Sequence, residues 1–168
     1  MKRFTVAVLV RNEFGVLNRV TSMFRRRQFN IRALTVSETE TNMYSRITVI
    51  FEGEDAMAEQ LINQLYKLPD VCAVREMGAD ESISCEAMLI KMKNEENSRD
   101  AIRSAAEACK AEIVDYTREA IILQITGDSA RLDSFLDVMR DYTILEMCRT
   151  GVVSLERGGT TIKESVVV

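Results

Sequence analysis

The turn Asn12-Glu13-Phe14-Gly15 holds residue types from which a small-ligand site can be made: an amide and a glycine, where an apolar run gives way to a helical pattern. A helix N-terminus presents N–H groups with no intrahelical acceptor and carries the positive end of the helix dipole, so it attracts a carboxylate. Glycine lets a ligand's backbone approach closely, and an asparagine amide can donate or accept. A free amino acid suits such a turn. The same residues also suit a plainer role, in which Gly15 permits a tight turn and Asn12 caps the helix. The turn taken alone leaves both readings open.

Other chemistry is scarce. With no histidine in the chain, Ser-His-Asp triads, Cys-His pairs, histidine proton shuttles and His-ligated metals are excluded. Neither a Walker A nor a G-x-G-x-x-G pattern occurs, nor an aspartate-rich loop with metal-ligand spacing. Glu38 with Glu40, and Glu95 with Glu96, lie in polar stretches where nothing would desolvate a carboxylate, so they read as solvated charges. Arg25-Arg26-Arg27 end an amphipathic stretch, where cations favour the negative dipole end, and an anion site there is the weaker reading. Cys72, Cys85, Cys109 and Cys148 lie far apart in apolar or amphipathic runs and are expected to be reduced core thiols.

The elements that would position the turn can be read from periodicity. Phe4 to Val10 is a β-branched strand, and from Gly15 the residues Val16, Leu17, Val20, Met23 and Phe24 mark one face of a helix. Ile31 to Ser37 and Tyr44 to Phe51 follow as strands joined by a polar hairpin loop. A second helical stripe runs from Met57 to Leu68 and is stopped by Pro69, and Val71 to Met77 forms a fourth strand. After the linker 78–82 the order repeats: a strand at Ala87 to Lys93, a helix that Ser98 would cap, strands at Ile113 to Tyr116 and Ala120 to Ile125, a helix capped by Asp128, and a strand at Ile144 to Arg149. The expected class is α+β, two ferredoxin-like βαββαβ domains in tandem, each with two helices on one sheet face. Val6, Val8 and Val10 share one face of the first strand and Thr5, Ala7 and Leu9 the other, so neither face is polar and the second is expected to be buried against another subunit.

Composition agrees with a folded domain pair and narrows its partners. The 168 residues are 46% hydrophobic and 29% charged with one proline, enough to build a core. A net charge of -4 disfavours nucleic acid, whose binding rests on basic groups. The N-terminus passes straight into the strand pattern and no apolar stretch reaches membrane length, so a cytoplasmic protein without membrane attachment is expected.

Several motifs then carry a resemblance. N-E-x-G-V-L-x-R-V at 12–20, F-N-I at 29–31 and L-T-V at 34–36 are similar to an ACT domain. With S-R-I-T at 45–48, Q-L-x-K-L at 64–68 and R-T-G-V-V-S-L-E-R-G at 149–158, the chain resembles the small regulatory subunit of acetolactate synthase (acetohydroxyacid synthase). The resemblance implies an ACT domain over residues 1–78 that dimerises and binds valine or a related branched-chain amino acid. It further implies a C-terminal regulatory domain over 79–158, followed by a tail at 159–168. Asn12, Gly15, Val16 and Leu17 of one subunit would meet Asn30 and Ile31 of the other around the effector. The chain itself would be non-catalytic and hold no cofactor. Thiamine diphosphate, magnesium and FAD would sit on a catalytic partner, which this subunit would activate and make sensitive to valine in branched-chain amino acid biosynthesis. Phe14 stands where a smaller or polar residue is expected, and the tail, ending Val166-Val167-Val168, extends past the family core. The runner-up is a stand-alone ACT-type sensor acting on another partner. An acylphosphatase-type enzyme using Arg11 and Asn12, and an RNA-recognition module with Tyr44 and Phe51, rank lower.

Overall fold

The computed structural model describes residues 2–165, apart from the Ser165 side chain. The first six elements are β1 (Lys2–Arg11), α1 (Val16–Arg26), β2 (Ile31–Glu38), β3 (Tyr44–Gly53), α2 (Asp55–Leu65) and β4 (Val71–Glu76). Their strands form an antiparallel sheet in the order β2-β3-β1-β4. Central placement explains why β1 lacks hydrophobic alternation, since both of its faces are covered. On the helix side Phe4, Val6, Val8 and Val10 pack with Val20 and Phe24 of α1 and Leu61 and Leu65 of α2. Phe4 stacks on Phe51 at 5.3 Å between ring centroids, and Phe29 meets Phe51 edge-on at 6.0 Å. α1 carries Arg25 and Arg26 in its last turn and gives way at Gln28, whose φ of 59° is left-handed. α2 ends at Leu65, earlier than the expected stop at Pro69, because Tyr66 to Leu68 already turn toward β4.

The same order then recurs in β5 (Ser82–Lys93), α3 (Arg99–Ala108), β6 (Glu112–Tyr116), β7 (Ala120–Gly127), α4 (Ser129–Met139) and β8 (Ile144–Arg149). The sheet order is β6-β7-β5-β8, so both halves are ferredoxin-like and the fold is α+β. Met88, Ile90, Met92, Leu123, Leu132 and Phe135 form the second core. Asp128 caps α4 as expected, accepting from the Arg131 N–H at 2.8 Å. Ser98 stands at the head of α3 but caps nothing with its side chain, because its hydroxyl turns back to the Glu95 carbonyl at 3.4 Å. Within this half Glu86, buried, takes two bonds from Arg149 at 2.6 and 2.9 Å and one from Ser129.

After β8 the chain makes β9 (Val153–Glu156), which pairs with β5, and a short 3-10 helix at Ile162–Ser165. By compactness one unit is formed by residues up to Ser84 together with those from Val152 onward, and the other is Cys85–Gly151. Residues 152–158, expected in the second domain, thus group with the first. The reason lies on the first sheet's outer face. There the Arg46 guanidinium donates to the Ser154 carbonyl at 2.8 Å, and Arg75 pairs with Glu156 at 3.1 Å. Burial lowers the Arg46 pKa, and the Glu156 carboxylate opposes that shift. Beside them Ile162 packs into a cluster of Ala7, Leu9, Ala73 and Met77. The chain's own later residues therefore cover the face that was expected to need another subunit. The tail, left without a role by its sequence, contributes part of that cover, and Val166 to Val168 lie outside the described residues.

Two of the thiols also differ from expectation. Cys72 and Cys109 are half-buried, but Cys85 and Cys148 are exposed, because their strands turn those positions away from the second core. Among the described residues no helix is long and apolar enough to cross a membrane.

Candidate functional site

The Asn12 turn lies where β1 hands over to α1, and its geometry follows from Gly15. Gly15 heads α1 with φ 80° and ψ -4°, a left-handed conformation that a side chain would make costly by about 1–2 kcal/mol. No side chain caps the helix, so Asn12 is not its cap. No acidic residue occupies the first turn of α1, so no side chain there opposes an anion at the positive end of the helix. The Gly15 carbonyl receives the Arg19 N–H at 3.0 Å. A Cβ placed on Gly15 would lie 3.6 Å from the Arg19 guanidinium. That guanidinium is held by Asp70, nearly buried, at 2.6 Å. The turn thus combines helix-end N–H groups with a fixed cation, a setting for a carboxylate.

Asn12 faces the other way. Both donors of its amide are engaged at 3.0 Å, one by the Glu38 carboxylate and one by the Asn42 carbonyl, while its oxygen accepts from the Ser45 hydroxyl at 3.0 Å. Its backbone N–H donates to the Met43 carbonyl at 2.9 Å. Asn12 therefore ties the turn to the β2–β3 hairpin. Phe14, at the tip, is fully exposed, and Leu17 is 41% exposed. Val16 is buried in the helix-side core, so only its backbone can reach a ligand. Asn30 is exposed and Ile31 half-buried at the start of β2.

Within one chain these residues do not converge. Ile31 pairs with Phe51, which pairs with Phe4, whereas Asn12 follows Arg11, the partner of Tyr44. The two groups sit at opposite ends of the sheet, about 23 Å apart along β1 at strand spacing. Arg19, Asn42, Ser45 and Asp70 belong to the turn's surroundings and were not singled out from sequence, and Glu38, read there as a solvated charge, accepts from the Asn12 amide. Arg19 had a signal, since four residues after Gly15 places it one helical turn above the glycine.

Comparison with known proteins places both halves of the chain in a family. Residues 6–73 match the family described as the AHAS small subunit-like ACT domain, and residues 85–158 match the family described as the small subunit of acetolactate synthase. The chain belongs to the acetolactate synthase small-subunit family. Its relatives include the probable acetolactate synthase small subunit of Archaeoglobus fulgidus, 42% identical over 93% of this chain and 98% of that protein. The acetolactate synthase isozyme 3 small subunit of Escherichia coli is 38% identical over 93% and 96%. The crystal structure of the small subunit from Thermotoga maritima superposes with a TM-score of 0.87 at 31% identity, covering 95% of this chain and all of that one. The small-subunit match over 85–158 includes β9, which by compactness groups with the first unit, so the family unit and the compact unit differ at this strand.

Proposed function

We propose that this chain is the non-catalytic regulatory subunit of an acetolactate synthase, and that its ACT unit binds valine, or a related branched-chain amino acid, between two copies of itself. In this reading the subunit activates a cytoplasmic catalytic partner that carries thiamine diphosphate, magnesium and FAD, and bound valine shifts the complex toward a less active state. Such coupling requires the effector to bind the two states differently. The observation that carries the proposal is the helix end at Gly15 in a family-matched ACT unit, with Arg19 beside it and no acid in the first turn.

Geometry supports two copies. β2 is terminal in its sheet. Antiparallel pairing of two β2 edges about a two-fold axis sets the Ile31 end of one strand against the Glu38 end of the other. That brings Asn30 and Ile31 of one copy toward the Asn12–Leu17 turn of its partner. The carboxylate would meet the α1 N–H groups and Arg19, and the branched side chain Ile31 and Leu17. Because both Asn12 donors are already engaged, Asn12 would have to exchange a hairpin bond to orient the effector.

Gly15→Asp tests the site. It places a carboxylate where the effector's own should lie, and it is compared with Gly15→Ala, which carries the same backbone strain without the charge. Activation of the catalytic partner should persist in both, while valine inhibition disappears in Gly15→Asp and is only weakened in Gly15→Ala. Undiminished inhibition of Gly15→Asp overturns the site.

A further inference from the structure

We infer that residues 160–165 form a strap that holds the effector-site hairpin in its Asn12-bound arrangement and so lowers affinity for the effector. The inference rests on the effector reading above and adds a control to that site.

The strap has an anchor, a clasp and a hinge. Its anchor is Ile162, 6% exposed among Ala7, Leu9, Ala73 and Met77, with Tyr44 packed against the same cluster. Its clasp is Lys163, ion-paired with Glu40. Glu164 fixes the turn between them, accepting from the Thr161 N–H at 3.2 Å and hydroxyl at 3.3 Å. Its hinge is Gly158-Gly159, where an added Cβ would meet nothing within 4 Å and Gly158 has φ +72°. Glycine at such a point lets the following segment swing without steric penalty.

Glu40 lies in the β2–β3 connection, whose Asn42 and Met43 carbonyls receive Asn12, and Tyr44 is the first residue of β3 after it. The hairpin is therefore gripped from two sides, by Asn12 and by the strap. An effector that recruits the Asn12 amide must draw it from Glu38 or Asn42, and the hairpin has to yield. A bound strap favours the arrangement in which it does not. A segment that stabilises one of two states reduces the apparent affinity of a ligand that needs the other.

The test titrates L-valine calorimetrically into the full-length chain and its variants. Ile162→Asp should release the strap and tighten valine binding about fivefold or more. Lys163→Glu should tighten it less, on the order of twofold, because a surface pair contributes little. Adding Glu40→Lys to Lys163→Glu re-forms the pair and should restore the wild-type Kd. A folded Ile162→Asp that binds valine at the wild-type Kd, or more weakly, overturns the strap. If Ile162→Asp does not fold, the charge-swap series decides, and an unchanged Kd in Lys163→Glu overturns it. Failure of every form, wild type included, to bind valine, leucine or isoleucine overturns the effector reading and the strap with it. Wild-type binding without a strap effect overturns the strap alone.

Discussion

The two sheets of this chain share a strand order and a helix-side packing scheme, yet their second faces meet different surroundings. In the first unit Ala7, Leu9, Thr48, Ile50 and Ala73 are all buried, on a face that β9, the 3-10 helix and the arginines that bind β9 cover from within the unit. In the second unit Leu89 and Cys148 are exposed, and with Lys91, Ile122, Glu146 and Met147 they line an open hollow of about 190 Å3. Helices cover one face of a ferredoxin-like sheet, and the topology is silent about the other. What becomes of the second face is decided by chain outside the βαββαβ repeat.

The helix-side cores are where the units should behave alike. Phe51→Ala in the first and Phe135→Ala in the second each remove a fully buried ring, and each should cost about 3–5 kcal/mol. Urea unfolding, with amide exchange to assign the affected unit, measures both, and a large inequality would break the equivalence. The second faces should behave differently. Leu9→Ala, on the covered face, should cost about 2–5 kcal/mol, while Leu89→Ala, on the open face, should stay within about 0.5 kcal/mol. Equal losses in the two variants would mean that the open face is covered as well. The smallest contrast lies between two helix starts of the second unit. Asp128→Ala should cost about 1 kcal/mol and Ser98→Ala distinctly less, since only the aspartate accepts a helix N–H. Thermal unfolding resolves that difference.

Much of this architecture could be read before any coordinates. The periodicity of Val16 to Phe24 and the Asp128 cap are local signals that local structure obeyed, whereas α2 ended at Leu65, before the proline expected to stop it. The turn at Gly15 was legible for the same reason, because the conformation it needs is a property of the glycine itself. Asn12 was not. Its partners Glu38, Asn42 and Ser45 are distant in sequence, so its role depends on how a hairpin folds back, which no spacing encodes. β9 escaped because its burial inverts the usual rule. Ser154 is buried while Val153 and Leu155 are exposed, so polarity points the wrong way. The tail escaped because one isoleucine among polar residues carries no period, although that isoleucine is what buries it. Arg46 and Arg75 look like surface charges in sequence, and it is their contacts with β9 that place them beneath cover.

The anchoring of Ile162 also sets an order of events at the ribosome. Ala7, Leu9, Ala73 and Met77 are all translated before the second unit, but Ile162 comes only after it. At ordinary elongation rates the nascent first sheet therefore waits on the order of ten seconds with this apolar patch uncovered. During that interval the newborn chain is most open to chaperones and to mispairing with its neighbours, and emergence of Ile162 closes the window.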